Sequence, residues 1–195
     1  MLVVTGATGH VGNVLVRQLL AKGHNVRCVV LPHESTRPLA GLDVELVEAD
    51  VQDYPALLES IQGARIVFHL AGIITIVSGL RQKLMAVNVQ GTRNVIRACR
   101  EGKVERLVYT SSVHALVEPP CGETIDEDAA FDPGRVHGDY GKSKALATRE
   151  VLAAAKTGLD AVVVIPAGVI GPFDYKPSEM GQLILDYLEN RMRDC

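Results

Sequence analysis

The sequence predicts an α/β protein built on a doubly wound parallel sheet, on three observations. Short apolar, β-branched runs alternate with stretches of helical pattern over almost all of the 195 residues. Each run is nearly continuous in hydrophobicity, as expected for strands covered on both faces. Gly23, Gly63, Gly102 and Gly158 each follow a helical stretch, where a left-handed residue ends the last turn. In chain order, the apolar runs predict strands over Leu2–Thr5, Asn25–Val30, Val44–Glu48, Ile66–Leu70, Arg106–Tyr109 and Ala161–Ile165. Between them the helical pattern covers His10–Lys22, Tyr54–Ile61, Leu80–Arg100 and Tyr140–Lys156. A last helix is expected over Ser178–Arg193, with Ser178 as its N-cap.

Regular β-α alternation implies parallel strands joined by right-handed crossovers. Such sheets bind ligands at the carboxyl ends of their strands, near the point where strand order reverses. Two long loops, Pro32–Gly41 and Val113–Asp139, follow strands; the run Asp126-Glu127-Asp128 in the second reads as a solvated loop. The composition, 47% hydrophobic and 22% charged, is that of a folded globular protein rather than a disordered chain. No stretch approaches the roughly 18 uninterrupted apolar residues of a membrane span. The N-terminus enters Leu2-Val3-Val4 directly, so no secretory signal is expected. Cys28, Cys99, Cys121 and Cys195 lie far apart, which reads as reduced thiols in a cytoplasmic protein. The six histidines lack metal-ligand spacing, and no metal site is expected. A net charge of −3, with 3 Phe, 5 Tyr and no Trp, gives no footprint for nucleic acid.

The first strand runs into Thr5-Gly6-Ala7-Thr8-Gly9-His10-Val11-Gly12, and a helix follows. Glycines in such a turn permit close backbone approach to a pyrophosphate, and the helix N-terminus offers it free N–H groups and a positive dipole end. The spacing is GxxGxxG. A residue about 20 positions on should read the adenosine ribose. Neither an acid nor an arginine ends the second strand, at Val30-Leu31-Pro32. His33 and Arg37 are then candidates for a 2′-phosphate, and Glu34 for the opposite purpose; the reading adopted is NADP within an NAD(P) site, with Arg37 as the contact.

A second constellation follows the fifth strand: Ser111-Ser112, and then Tyr140-Gly141-Lys142-Ser143-Lys144. On a helix Tyr140 and Lys144 stand one turn apart on the same face. A phenol, with an ordinary pKa of about 10, is a poor acid–base group at neutral pH. An ammonium beside it would bring it towards the working range, and a serine hydroxyl would orient a carbonyl or alcohol oxygen between them.

With these motifs the chain resembles the extended branch of the short-chain dehydrogenase/reductase superfamily. That branch holds NAD-dependent epimerases/dehydratases, dihydroflavonol reductases and 3β-hydroxysteroid dehydrogenases. The resemblance runs in order through Thr5–Gly12, Asp50-Val51, His69-Leu70-Ala71-Gly72, Asn88-Val89-Gln90-Gly91-Thr92, Ser111-Ser112, Tyr140xxxLys144 and Pro166–Pro172. It implies a Rossmann fold and an oxidoreductase that moves a hydride between nicotinamide and a carbonyl or secondary alcohol of a small molecule.

By the same resemblance Gly6, Thr8, Gly9, His10, Val11 and Gly12 would line the pyrophosphate. Asp50 and Val51 would flank the adenine, and Leu70, Ala71 and Gly72 would lie under the cofactor's middle. Tyr140 would be the acid/base, and Lys144 would hold the nicotinamide ribose and lower the phenol's pKa. Ser112, or Ser111 if the register differs by one, would bind the substrate oxygen. Pro166, Gly168 and Val169 would border the nicotinamide; Asn88 would act structurally or in a proton relay. Asp50 could instead simply end a strand, and His69 and His114 read as packing or loop residues rather than catalysts. Cys28 and Cys99 read as small buried hydrophobes.

Members of the branch continue beyond the Gly-Pro at Gly171-Pro172, so residues 1–175 are expected to form the NAD(P)-binding domain. Residues 176–195 would open a small substrate-binding domain that is mostly missing. The resemblance also implies a homodimer through the Leu80–Arg100 and Tyr140–Lys156 helices. The alternatives are a nucleotide-sugar epimerase or dehydratase, and a non-catalytic NAD(P)-sensing module.

Overall fold

The structure, a computed structural model, describes residues 1–75 and 79–191. Six parallel strands form one sheet: β1 (Leu2–Thr5), β2 (Val26–Val30), β3 (Glu45–Glu48), β4 (Ile66–His69), β5 (Arg106–Thr110) and β6 (Ala161–Val164). Their spatial order is β3-β2-β1-β4-β5-β6. The chain begins at the centre, winds outward through β2 and β3, then returns to lay β4 on the other side of β1. Strand order therefore reverses between β1 and β4, which is where a doubly wound sheet binds its ligand. The six strands are those expected, the first with the same bounds and each of the others shifted by one residue at one end.

Alternation along β1 divides the core. Val3 joins Val67, Leu107, Leu57, Ile61, Val95, Cys99 and Val151 on the face covered by α2 (Tyr54–Ile61), α4 (Gly91–Glu101) and α5 (Gly138–Lys156). Leu2 and Val4 turn the other way, onto Val16, Leu19, Cys28, Val30 and Leu39 beneath α1 (His10–Ala21). Each such side chain contributes about 1.5–3 kcal/mol on burial.

Several expectations are corrected. The outer strands are not covered on both faces: Leu46 in β3 is 47% exposed, and Val162 and Val164 in β6 are 42% and 46% exposed. Both lie at the edges of the sheet, where β-branched composition no longer reports double coverage. Gly102 is not left-handed but keeps a near-helical φ of −75°, its N–H donating to the Ala98 carbonyl; Lys103, at φ 53°, makes the turn instead. The helix over Leu80–Arg100 is broken into α3 (Arg81–Leu84), a π-helical segment Met85–Gln90, and α4. The last helix, α6 (Glu179–Leu188), is shorter than expected, although Ser178 does cap it by accepting from Gly181 N–H at 3.1 Å. Residues 192 and 193 of that expectation lie outside the described residues. Among the described residues no helix is long and apolar enough to cross a membrane, and no group of His, Cys, Asp and Glu is disposed to hold a metal.

Candidate active site

The turn between β1 and α1 closes on itself: Gly9 N–H donates to the Gly6 carbonyl at 3.1 Å. Gly6 sits at φ +71°, and a Cβ there would lie 2.6 Å from Ala71 N; one at Gly12 would lie 2.2 Å from the Gly6 carbonyl oxygen. Only bare backbone fits at either place. Gly9, the N-cap of α1, offers no side-chain oxygen, and no acid stands in the helix's first turn. The leading N–H groups thus have no capping carboxylate or hydroxyl, and the positive end of the helix is open to an anion. These residues fit the pyrophosphate of a dinucleotide.

Of the three polar residues beyond β2, it is Glu34 that reaches this turn. His33 adopts φ 63°, a left-handed bend. Glu34 Oε1 then accepts from the Thr8 hydroxyl at 2.8 Å, and from Lys176 Nζ at 2.8 Å. Burial would raise the Glu34 pKa, but hydrogen bonds from Lys176 and Thr8 outweigh it and hold the carboxyl below its ordinary value. Arg37 is exposed in the 3-10 turn Arg37–Leu39.

The segment after β6 folds back over the same end of the cleft, an approach no local pattern predicts. His10 Nε2 donates to the Pro172 carbonyl at 3.0 Å, and its Nδ1 lies 3.8 Å from Asp174. Phe173, at φ 68°, lies under the Arg17 guanidinium at 4.1 Å, and Lys176 completes the strap through Glu34. Val11 is exposed. Asp50 accepts from Gln52 N–H at 2.9 Å, and Val51 is buried against Gly91, where a Cβ would meet it at 2.6 Å.

At the carboxyl end of β5 the serine register resolves. Ser111 turns into the core and shares a hydrogen bond of 2.7 Å with Thr148. Ser112 turns out as N-cap of the 3-10 turn Val113–Ala115, its hydroxyl accepting from His114 N–H at 3.3 Å, and lies near enough to the Tyr140 phenol to act on its pKa. Gly141 lets α5 approach: a Cβ there would lie 2.6 Å from the His114 carbonyl oxygen. The His114 ring meets Tyr140 edge-on, with centroids 6.2 Å apart. Pro166 lies beside them, its carbonyl accepting from Val113 N–H at 3.1 Å, with Gly168 exposed and Val169 half-buried.

Lys144 departs from expectation. Its ammonium donates to the Thr110 carbonyl at 2.7 Å and stands 4.5 Å over the Tyr109 ring. It does not lower the phenol: burial raises the Tyr140 pKa, and the Ser112 hydrogen bond only partly offsets this. Lys144 is itself pushed down to about 7 by burial. Spacing placed the two residues on one face, but the nearest carbonyl decided where the ammonium went.

A stability test follows. Unfolded Lys144 holds its proton up to its ordinary 10.5, and folded Lys144 only up to about 7. Between these values the unfolded state binds more protons, so this residue's contribution to stability rises with pH. The buried thiols of Cys28 and Cys99, pushed up from 9.0 to about 12, are common to the native protein and Lys144→Met, so their effect cancels in the comparison. Thermal melts from pH 7 upward should show the native Tm rising relative to Lys144→Met; parallel curves would contradict the assignment.

Asn88, in the π segment, is fully engaged. Its Oδ1 accepts from Ile73 N–H at 2.8 Å, and its Nδ2 donates to the Ile73 carbonyl and the Ser143 hydroxyl, both at 3.0 Å. It thus fixes the loop after β4, where Leu70 and Ala71 are half-buried and Gly72 is exposed. A groove of about 580 Å³, lined by Arg93, Arg97, Arg100 and Glu150, lies on α4 and α5, apart from these residues.

The model of the NAD dependent epimerase/dehydratase family matches residues 2–193. The chain is 39% identical over 192 residues to sterol demethylase protein B of Methylococcus capsulatus, covering 97% of this chain and 58% of that protein. It is 35% identical over 188 residues to dihydroflavonol 4-reductase of Zea mays, covering 87% of this chain and 53% of that one. Among solved structures it resembles the UDP-glucose 4-epimerase of Thermus thermophilus in complex with NAD, with a TM-score of 0.81 and 26% identity, covering 94% of this chain and 60% of that one. The chain thus spans little more than half the length of these relatives.

Proposed function

The chain belongs to the NAD-dependent epimerase/dehydratase family, and from that premise we propose that it is an oxidoreductase acting on a carbonyl or secondary alcohol. The observation that carries the reading is the pairing of Ser112 with Tyr140 at the carboxyl end of β5, beside the strand whose end closes against the glycine turn. A bound nicotinamide dinucleotide supplies the hydride chemistry. Gly6, Thr8, Gly9, His10, Val11 and Gly12 hold its pyrophosphate, and Leu70, Ala71 and Gly72 lie beneath its middle. Asp50 and Val51 flank the adenine; Pro166, Gly168 and Val169 border the nicotinamide, and Lys144 holds its ribose. Ser112 orients the substrate oxygen, and Tyr140 moves the proton at that oxygen. A phenol with a raised pKa is protonated at neutral pH, which suits the donor role in carbonyl reduction. Asn88 serves as a positioning residue, its amide already committed to Ile73 and Ser143.

The cofactor reading turns from NADP to NAD. Arg37 is exposed, while an ionised Glu34 touches Thr8 of the glycine turn. A carboxylate there accepts from a ribose 2′-hydroxyl and repels a 2′-phosphate. Titration by nicotinamide fluorescence should give NADH at least about tenfold tighter than NADPH, a difference of about 1.4 kcal/mol. Glu34→Gln should narrow that gap. Equal binding of both nucleotides, or tighter NADPH, would restore Arg37 as the phosphate contact.

Residues 1–175 are read as the dinucleotide-binding unit and 176 onward as the opening of the substrate-binding part. A homodimer through the α4 and α5 faces, and a cytoplasmic location, belong to the same proposal; the buried free thiols Cys28 and Cys99 suit the latter.

A further inference from the structure

His69 lies at the end of β4, 1% exposed, and the reaction outlined above does not use it. Both of its ring nitrogens are nonetheless engaged: Nδ1 stands 2.8 Å from the Thr5 hydroxyl, and Nε2 stands 3.1 Å from the Thr92 hydroxyl. The direction of every bond in this chain is forced. Thr92 spends its one hydroxyl proton on the Asn88 carbonyl at 2.6 Å, and a carbonyl can only accept. Toward His69, therefore, Thr92 accepts, and Nε2 carries the hydrogen. Burial, with the charge of Lys144 behind it, pushes His69 down to about 3, so the ring is neutral and Nδ1 is a lone pair. Thr5 donates to it, which leaves the Thr5 oxygen to accept from Ala71 N–H at 3.2 Å.

The two ends of this chain meet again on one short segment. Ala71 is held through Thr5, and Ile73 is held at both its N–H and its carbonyl by Asn88. Between them, a Cβ on Gly72 would lie 3.1 Å from Asn88 Oδ1. We propose that His69, locked with its hydrogen on Nε2, is a positioning residue: with Thr92 it sets the π segment against the ends of β1 and β4, and so fixes the height of the 71–73 floor. A core residue in this position needs only the right volume; this one needs an acceptor on one side and a donor on the other. The functional half of the inference rests on the reading that a dinucleotide lies on that floor.

The test uses the native chain, Thr92→Val and Thr92→Ser. Nitrogen-15 spectra of the native protein should show His69 neutral and protonated on Nε2 throughout the range of about pH 5 to 8 where histidines ordinarily titrate. The Asn88 side-chain amide should exchange slowly in the native protein and in Thr92→Ser, and fast in Thr92→Val. Val matches Thr in shape, so packing is kept while the hydroxyl is lost. NADH affinity should fall about tenfold in Thr92→Val, the effect of one buried hydrogen bond, and change little in Thr92→Ser. A proton on Nδ1, a titrating His69, or native affinity in Thr92→Val with only its Tm lowered would each overturn the proposal. If the native chain binds neither NADH nor NADPH, the dinucleotide reading fails, and the positioning role is decided by the tautomer and the Asn88 exchange. Should Thr92→Val not fold, His69→Gln and His69→Leu replace it: the first keeps an acceptor and a donor and should retain the slow Asn88 exchange, and the second keeps neither and should lose it.

Discussion

Tyr140→Phe is expected to lower the rate of carbonyl reduction by about 10²- to 10⁴-fold, the usual contribution of a positioned proton donor. NADH affinity should be unchanged. The substitution keeps the ring and its edge contact with His114, and removes the hydroxyl beside Ser112. What disappears is the proton that must reach the substrate oxygen as hydride reaches the adjacent carbon. Oxidation of NADH by a panel of aldehydes and ketones, followed by absorbance, gives the measurement. If turnover persisted at the native rate, Tyr140 would not be the acid. A native chain that binds NADH but turns over no carbonyl or alcohol substrate would be a sensor rather than an enzyme.

Gly12→Ala should be the most damaging change in the binding turn. The new methyl would meet Gly6 O at 2.2 Å, Gly6 C at 2.9 Å and Ala7 Cα at 3.0 Å, all of them backbone. Backbone cannot rotate aside as a side chain can, so α1 must lift off the turn. A cost of about 1–3 kcal/mol is expected, together with loss of measurable NADH binding. Gly9→Ala is the control: its Cβ comes no nearer than 3.4 Å to Gly6 O, and φ there is −73°. Thermal melts of the two variants should separate clearly. Equal Tm losses would mean that the collision is relieved in some other way.

The strands were legible because continuous apolar runs survive any environment, but composition says nothing about rank within a sheet. Val162 and Val164 read like Val3 and Val4, yet they sit on an edge strand and are largely exposed. Ser112 and the glycine turn were legible as candidates because each directly follows a strand, where local sequence carries the signal, and Tyr140 because it opens a helix with Lys144 one turn on. Lys144 was found but misdirected, since helical spacing fixes a face and not a rotamer. Glu34 was one of three neighbouring candidates; the left-handed bend at His33 selected it, and that bend is invisible in a string of residues. The π segment was hidden more deeply. What holds it is a hydroxyl bond between Thr92 and Asn88, backed by His69 from another strand, and no periodicity encodes such a contact. The strap joining His10 to Pro172 across 162 residues is equally non-local.

The reversal of strand order between β1 and β4 has a consequence for folding. These neighbours pair Leu2 with Ile66 and Thr5 with His69, so their ladder forms only after some sixty intervening residues have been organised, a loop whose closure is entropically unfavourable. That seam is the last joint expected to set and the first to open under stress. On the proposed reading, a nucleotide seated over it would touch groups from both halves of the sheet, and so would bind the closed joint alone. By mass action it would then act as a brace: at a hundred times its Kd it would add about 2.7 kcal/mol to the folded state. Occupancy and assembly of the sheet would then be one equilibrium seen from two sides.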